Sequence, residues 1–127
     1  MLTELLEVIT ATVEEHCKLD TDITLEELSA EGGIYAELGE GFGESTSYNK
    51  QEIKVIPVLF LCRHPDQKRC LGQLCEISGY LQGLKRYPQG KTFAWLNTEI
   101  AKEPSKIGRD EDGVYHYSCI LNCKIYC

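Results

Sequence analysis

No apolar run in the sequence approaches the roughly 20 residues that a membrane-crossing helix needs, so no segment reads as a transmembrane span. A basic end followed by an apolar core is also missing after Met1. An acidic amphipathic stretch stands there instead, and the expectation is a soluble chain without an export signal. Bases are scarce in the first part of the chain: residues 1–50 hold twelve Asp and Glu against only Lys18 and Lys50, a balance of −10. Residues 51–127 hold eight acids against eleven bases, a balance of +3. Phosphate neutralisation needs Lys and Arg clusters, which argues against nucleic-acid binding by the acidic part. That part is then either a solvated helix face or one of two complementary patches that meet between subunits. Internal repeats and low-complexity segments are absent. A length of 127 residues suits one domain, 1–127, able to bury a core without disulfide or metal staples.

The seven cysteines are an odd number, and none shows the two-residue spacing of a zinc knuckle. Reduced, packing thiols are the expected state. Cys119-x3-Cys123-x3-Cys127 has a metal-like rhythm, but it falls on a predicted strand, where residues four apart lie roughly 13 Å from one another. Two thiolates on one zinc must each sit about 2.3 Å from it, so that strand cannot chelate through this pattern. Cys62, His64, Cys70 and Cys75 could converge at a strand–helix junction, and His16, His64 and His116 could serve a thiol nucleophile. No local signature surrounds any of them. Gly39-x-Gly41-x-Gly43 follows a strand as a phosphate loop would, yet Glu40 and Glu44 flank it and it opens no helix, so a hairpin tip is the preferred reading. No catalytic, cofactor-binding or metal-binding residue is assigned, and the chain is read as a non-enzyme.

Leu2, Leu5, Leu6, Ile9 and Val13 recur at helical spacing, predicting an amphipathic helix over residues 2–17. Asp20 to Glu31 reads as a polar connection in which Thr24 and Glu27 could form a short capping box, ended by Gly32-Gly33. A strand over 34–39 follows, then a loop or long hairpin tip over 40–50. Residues 55–62 are apolar on both alternating faces, which predicts a strand inside a sheet with each side covered, by a helix or by another subunit. Pro57 within it suggests an edge, a bulge or late pairing. A helix over 66–84 should bury Leu71, Leu74, Ile77 and Leu81, while Gly72, Cys75, Gly79 and Gly83 form a stripe of small residues suited to close packing on a neighbouring backbone. Tyr87 to Gly90 is a turn, 92–101 a strand, 103–113 a charged loop in which Lys106 and Arg109 accompany Asp110-Glu111-Asp112, and 114–126 the last strand. The expected fold is α+β, about four antiparallel strands carrying two helices, in the order α-β-β-α-β-β.

Several phrases of the chain resemble one family. Gly33-Ile-Tyr-Ala-Glu-Leu-Gly-Glu-Gly41, Pro57-Val-Leu-Phe-Leu-Cys62, Cys70-Leu-Gly-Gln-Leu-Cys-Glu-Ile77, Glu103-Pro-Ser-Lys-Ile-Gly108 and Tyr115-His-Tyr-Ser-Cys119 look like those of the small tail-terminator, or minor capsid, proteins of tailed bacteriophages and prophages of Gram-positive hosts. The cysteine richness is outside that pattern. The resemblance implies a structural virion protein, assembled in the bacterial host cytoplasm as a hexameric ring at the head-proximal end of the tail tube. Such a ring stops tube polymerisation and docks to the head connector. Its partners would be its own copies, the tail tube protein, the head-tail connector and, as a further candidate, a tail sheath; DNA would only pass through the channel, with no cofactor and no membrane. Interface residues on this reading are Lys68, Arg69, Gly72, Cys75, Gly79, Gly83, Phe42, Lys106 and Arg109. A small cytosolic Cys-dependent enzyme and a metal-binding regulatory module are the alternatives.

Overall fold

The computed structural model describes residues 2–17, 19, 23–24, 32–46, 52–84, 87–109, 111 and 113–126, with backbone only at residues 2, 42–46 and 52. Eight elements follow in chain order: α1 (Leu2–His16), β1 (Ile23–Thr24), β2 (Gly33–Leu38), β3 (Phe42–Thr46), β4 (Glu52–His64), α2 (Gln67–Gly83), β5 (Ala94–Arg109) and β6 (Tyr115–Tyr126). The strands form a six-stranded sheet in the order β1-β2-β4-β6-β5, with β3 paired to β4 beside β2. The α+β class is as expected. The strand count is higher, and the sheet is not wholly antiparallel, because β1 lies parallel to β2 through Ile23 and Ile34. The capping box proposed at Thr24 and Glu27 falls outside the described residues, apart from Thr24 itself, which is in β1.

Both amphipathic helices behave as their periodicity dictates, with one exception. Leu5, Ile9 and Val13 of α1 and Cys70, Leu74, Ile77 and Leu81 of α2 are fully buried against Ile56, Val58, Phe60 and Cys62 of β4 and the odd-numbered residues Tyr117 to Ile125 of β6. Each such aliphatic side chain contributes on the order of 1.5–3 kcal/mol relative to exposure. Leu71 departs from its predicted place and is 36% exposed, whereas Gln73 and Ser78 are buried. The buried stripe of α2 therefore sits about one position away from the all-leucine face, and two polar residues with local partners fill it. Gln73 donates to the Arg69 carbonyl at 3.3 Å, and Ser78 donates to the Cys75 carbonyl at 3.2 Å. Asp66 caps α2 by accepting from the Lys68 N–H at 2.9 Å, with its own N–H donated to His64 Nδ1 at 2.9 Å.

Strand β4 is central despite Pro57. It pairs along its whole length with β6 on one side and with β2 and then β3 on the other. The Pro57 carbonyl accepts from Gly39 N–H at 2.8 Å, so its missing donor points toward the β2 side. There β2 ends at Leu38 and β3 begins at Phe42, and the break in pairing leaves no ladder acceptor waiting for that donor. The Gly39–Gly43 rhythm belongs to this same break. A Cβ on Gly41 would collide with the Ile56 side chain and stand 3.2 Å from the Val55 carbonyl, so glycine is there for backbone approach and not for phosphate. Thus β2 and β3 together are one interrupted arm of the long hairpin expected from the sequence; its connection at 47–51 lies outside the described residues.

Strand β5 corrects a boundary. The strand expected to stop near residue 101 continues through the supposed charged loop to Arg109, shifting register against β6 four times on the way. An edge strand accommodates charge, Pro104 and bulges because only one of its sides must match a neighbour. Lys106 and Arg109 therefore lie on a strand and not in a loop.

Candidate assembly surface

The nine residues singled out as interface material fall into three places. Lys68 and Arg69 occupy the exposed first turn of α2, with no acid in that turn to complement the helix N-terminus. Gln67 of the same turn donates to the Tyr117 hydroxyl at 2.7 Å, and the Cys70 thiol of the next turn faces the Tyr115 carbonyl at 3.7 Å. The start of α2 thus stands over the start of β6. Lys106 Nζ and the Arg109 guanidinium carbon lie 5.2 Å and 5.6 Å from the centre of the Tyr115 ring, in cation–π contact. The fold therefore gathers Lys68, Arg69, Lys106 and Arg109 at one end of the sheet. In contrast, the exposed charges of α1 include Glu7, Glu14 and Glu15. Lys85 and Arg86, which follow α2 in the sequence, lie outside the described residues.

Gly72, Cys75, Gly79 and Gly83 are all exposed on α2. No heavy atom stands within 4 Å of a Cβ built on Gly72, Gly79 or Gly83. Among the described residues this stripe does not pack closely on another backbone. Phe42 is the member the fold separates from the others. It opens β3 opposite Val55, towards the other end of β4 from His64, and only its backbone is described.

A surface that sequence reasoning left unlocated is the helix-free side of the sheet. On β4, Val55, Pro57, Leu59 and Leu61 point away from the helices and are half-buried, and Ile120 of β6 joins them. None belongs to the core cluster or is packed against it, and no described element lies across them. Their signal was present in the sequence as the second apolar face of residues 55–62. Among the described residues no element covers that face. Pairing registers place Glu37, Leu59, Ile120 and Lys102 in one row across β2, β4, β6 and β5.

The thiols sit on the opposite, helix-covered side. Among the described residues Cys17, Cys62, Cys70, Cys119 and Cys123 are buried free thiols, and Cys75 is an exposed one. Burial pushes Cys119 and Cys123 up to about 12 and Cys17 up to about 11. Cys70 moves the other way because the Cys62 thiol hydrogen-bonds to it. It nevertheless has no exposure, and its Sγ lies 3.2 Å from the Cys62 carbonyl, which suits a packed thiol more than an attacking nucleophile. Among the described residues no group of three or more His, Cys, Asp or Glu side chains is placed to hold a metal ion. No described helix is long and apolar enough to cross a membrane. No protein-family model and no curated protein matches the chain.

Proposed function

We propose that the chain is a structural subunit of a closed ring, the tail terminator of a phage tail, which caps the head-proximal end of the tube and presents a docking surface to the head connector. The resemblance of its short phrases to that family supplies the role and the six-fold number. The observation that carries a head-to-tail contact is the charge layout: exposed bases converge at one end of the sheet, while α1 exposes acids. A contact between unlike faces that closes on itself produces a ring. Exposed ion pairs are worth only about 0–1 kcal/mol each, so charge here selects orientation and register while apolar contact supplies affinity.

The test is native mass measurement, with electron microscopy, of the chain alone and with its tail-tube protein. A particle six times the chain mass is expected once the tail-tube protein is present, where the chain alone need not close the ring. Lys68→Glu with Arg69→Glu should slow assembly, and Glu15→Lys should partly restore it. Glu14 is a poor choice for that reversal because its carboxylate accepts from the Ile23 N–H at 3.1 Å and holds β1. A chain that stays monomeric at high concentration with its tube partner present sinks the ring.

A further inference from the structure

We infer that the helix-free face of the sheet binds a second copy of this chain about a twofold axis parallel to β4 and β6, so that Glu37 of each protomer meets Lys102 of the other while Leu59 packs on Ile120. This contact is separate from the head-to-tail contact above and stands without it.

The argument begins with the row Glu37–Leu59–Ile120–Lys102, whose members are neighbours by strand register. Adjacent strands are about 4.8 Å apart, so the acid and the base lie about 14 Å from one another with two aliphatic side chains between them. The row is its own complement. A half-turn about an axis running along the strands, between Leu59 and Ile120, exchanges its two ends and lays acid on base twice. It also lays Leu59 of each copy on Ile120 of the other. Such an axis keeps the strands of the two sheets roughly aligned, which is the common class of face-to-face sheet packing.

Three further observations fit this occupant. Glu37 and Lys102 are both exposed, and neither is engaged by an opposite charge among the described residues. Glu37 accepts from the Tyr35 hydroxyl at 2.8 Å, and Lys102 Nζ reaches Ser118 Oγ at 3.4 Å. Those hydrogen bonds hold each charged group over the face. The rows on either side of the central one carry Leu61 beside Ser118 and Pro57 beside Asn122, and Val55 lies one row further on. An apolar stripe of β4 with Ile120 thus lies at the middle of the patch, Ser118, Asn122 and Lys124 of β6 stand beside it, and Glu37 and Lys102 lie at its two sides. The strands flanking the central pair differ in the sense the pairing needs, since Glu37 is on β2 beside β4 and Lys102 on β5 beside β6. A face built for a different protein has no reason to be complementary to itself in register.

Sedimentation velocity of the full chain in reducing buffer, up to about 0.5 mM, tests the inference. A reversible rise to twice the chain mass is expected, and a sample that stays monomeric throughout overturns the proposal. Leu59→Glu should abolish the dimer, with far-UV circular dichroism to verify the fold. The exposed reversals Glu37→Lys and Lys102→Glu do not depend on that change at a half-buried position. Each alone should weaken dimerisation about tenfold or more, because twofold symmetry turns one reversal into two like-charge meetings. The decisive arm is the equimolar mixture of the two single reversals, in which every acid again finds a base and a heterodimer of near wild-type affinity should form. If the mixture stays as weak as its components, the face does not pair by this symmetry, and a different partner or a ring contact occupies it. Lys68→Glu with Arg69→Glu should dimerise like the wild type; loss of the dimer there would assign the contact to the ring and overturn its independence.

Discussion

Alanine at Gly79 is the sharpest probe of α2, because folding and assembly respond to it in opposite directions. Gly79 is inside a 17-residue helix, exposed, and a Cβ there meets no heavy atom within 4 Å. The substitution therefore adds no clash and loses no contact among the described residues. What remains is the backbone term, since glycine has more conformational freedom to lose and costs about 1 kcal/mol relative to alanine in a helix interior. Gly72 meets the same conditions, so the pair should add to about 2 kcal/mol, the two sites being nearly two turns apart with no shared partner. For a domain of this size each kcal/mol corresponds to roughly 3–6 °C in Tm. Thermal and urea unfolding should be followed by circular dichroism at a concentration low enough to suppress association. The expected outcome is a stabilised monomer. If the stripe packs on a neighbour's backbone in the ring, the same double variant should assemble more slowly, because two methyl groups now hold the surfaces apart. A destabilised Gly79→Ala monomer would refute the account of an open helical site. Unimpaired assembly by a stabilised double variant would show that the stripe is only solvent-facing.

Two further outcomes follow from titrating groups. Hydrogen bonds from the Thr92 N–H and hydroxyl, both 3.0 Å, hold the Glu4 carboxylate below its ordinary 4.5, chiefly through the backbone donor. A lowered folded-state value contributes stability above the unfolded value and loses it as pH falls through the folded one, so α1 should loosen below about pH 4.5, and Glu4→Gln should flatten that acid limb in a urea-midpoint profile. The raised thiols act at the alkaline end. Cys119 and Cys123 ordinarily titrate near 9 and are pushed to about 12, so their contribution is intact below pH 9 and lost as pH rises toward 12. Cys123→Val should reduce the alkaline slope. Iodoacetamide should label Cys75 first and reach Cys17, Cys119 and Cys123 only on unfolding, as read by peptide mass mapping.

The helices and the last strand were legible because burial is periodic and their sequences repeat at that period. Leu5, Ile9 and Val13 mark one stripe of α1, and the odd residues from Tyr117 to Ile125 mark one face of β6, and these are the residues the core contains. Register and edges were not legible. Nothing in Ala94 to Arg109 alternates cleanly, because β5 shifts against β6 at four points, and each shift resets which residue faces inward. The composition of residues 103–109 therefore imitates a loop although its backbone is paired. Two-residue β1 carries too little pattern to be read at all.

Pro57 and the apolar odd face of β4 show how a correct local reading can leave the larger question open. The proline was a valid warning, yet the interruption it demands lies in its neighbour, at residues 39–41, and not in β4 itself. The doubled apolar pattern predicts two covered faces, and among the described residues the helices lie over only one of them. Sequence pattern records that a face excludes water and is silent on whose atoms exclude it. The register sets Glu37 and Lys102 at the two ends of one row, and that placement is the ground for the proposed twofold pairing. The same logic separates the two association modes. A face complementary to itself closes with two copies, whereas bases at one end of the sheet that meet acids on another element of the next copy head to tail form a ring when the rotation closes. Loss of one contact with retention of the other, under the charge reversals given above, is what this division requires.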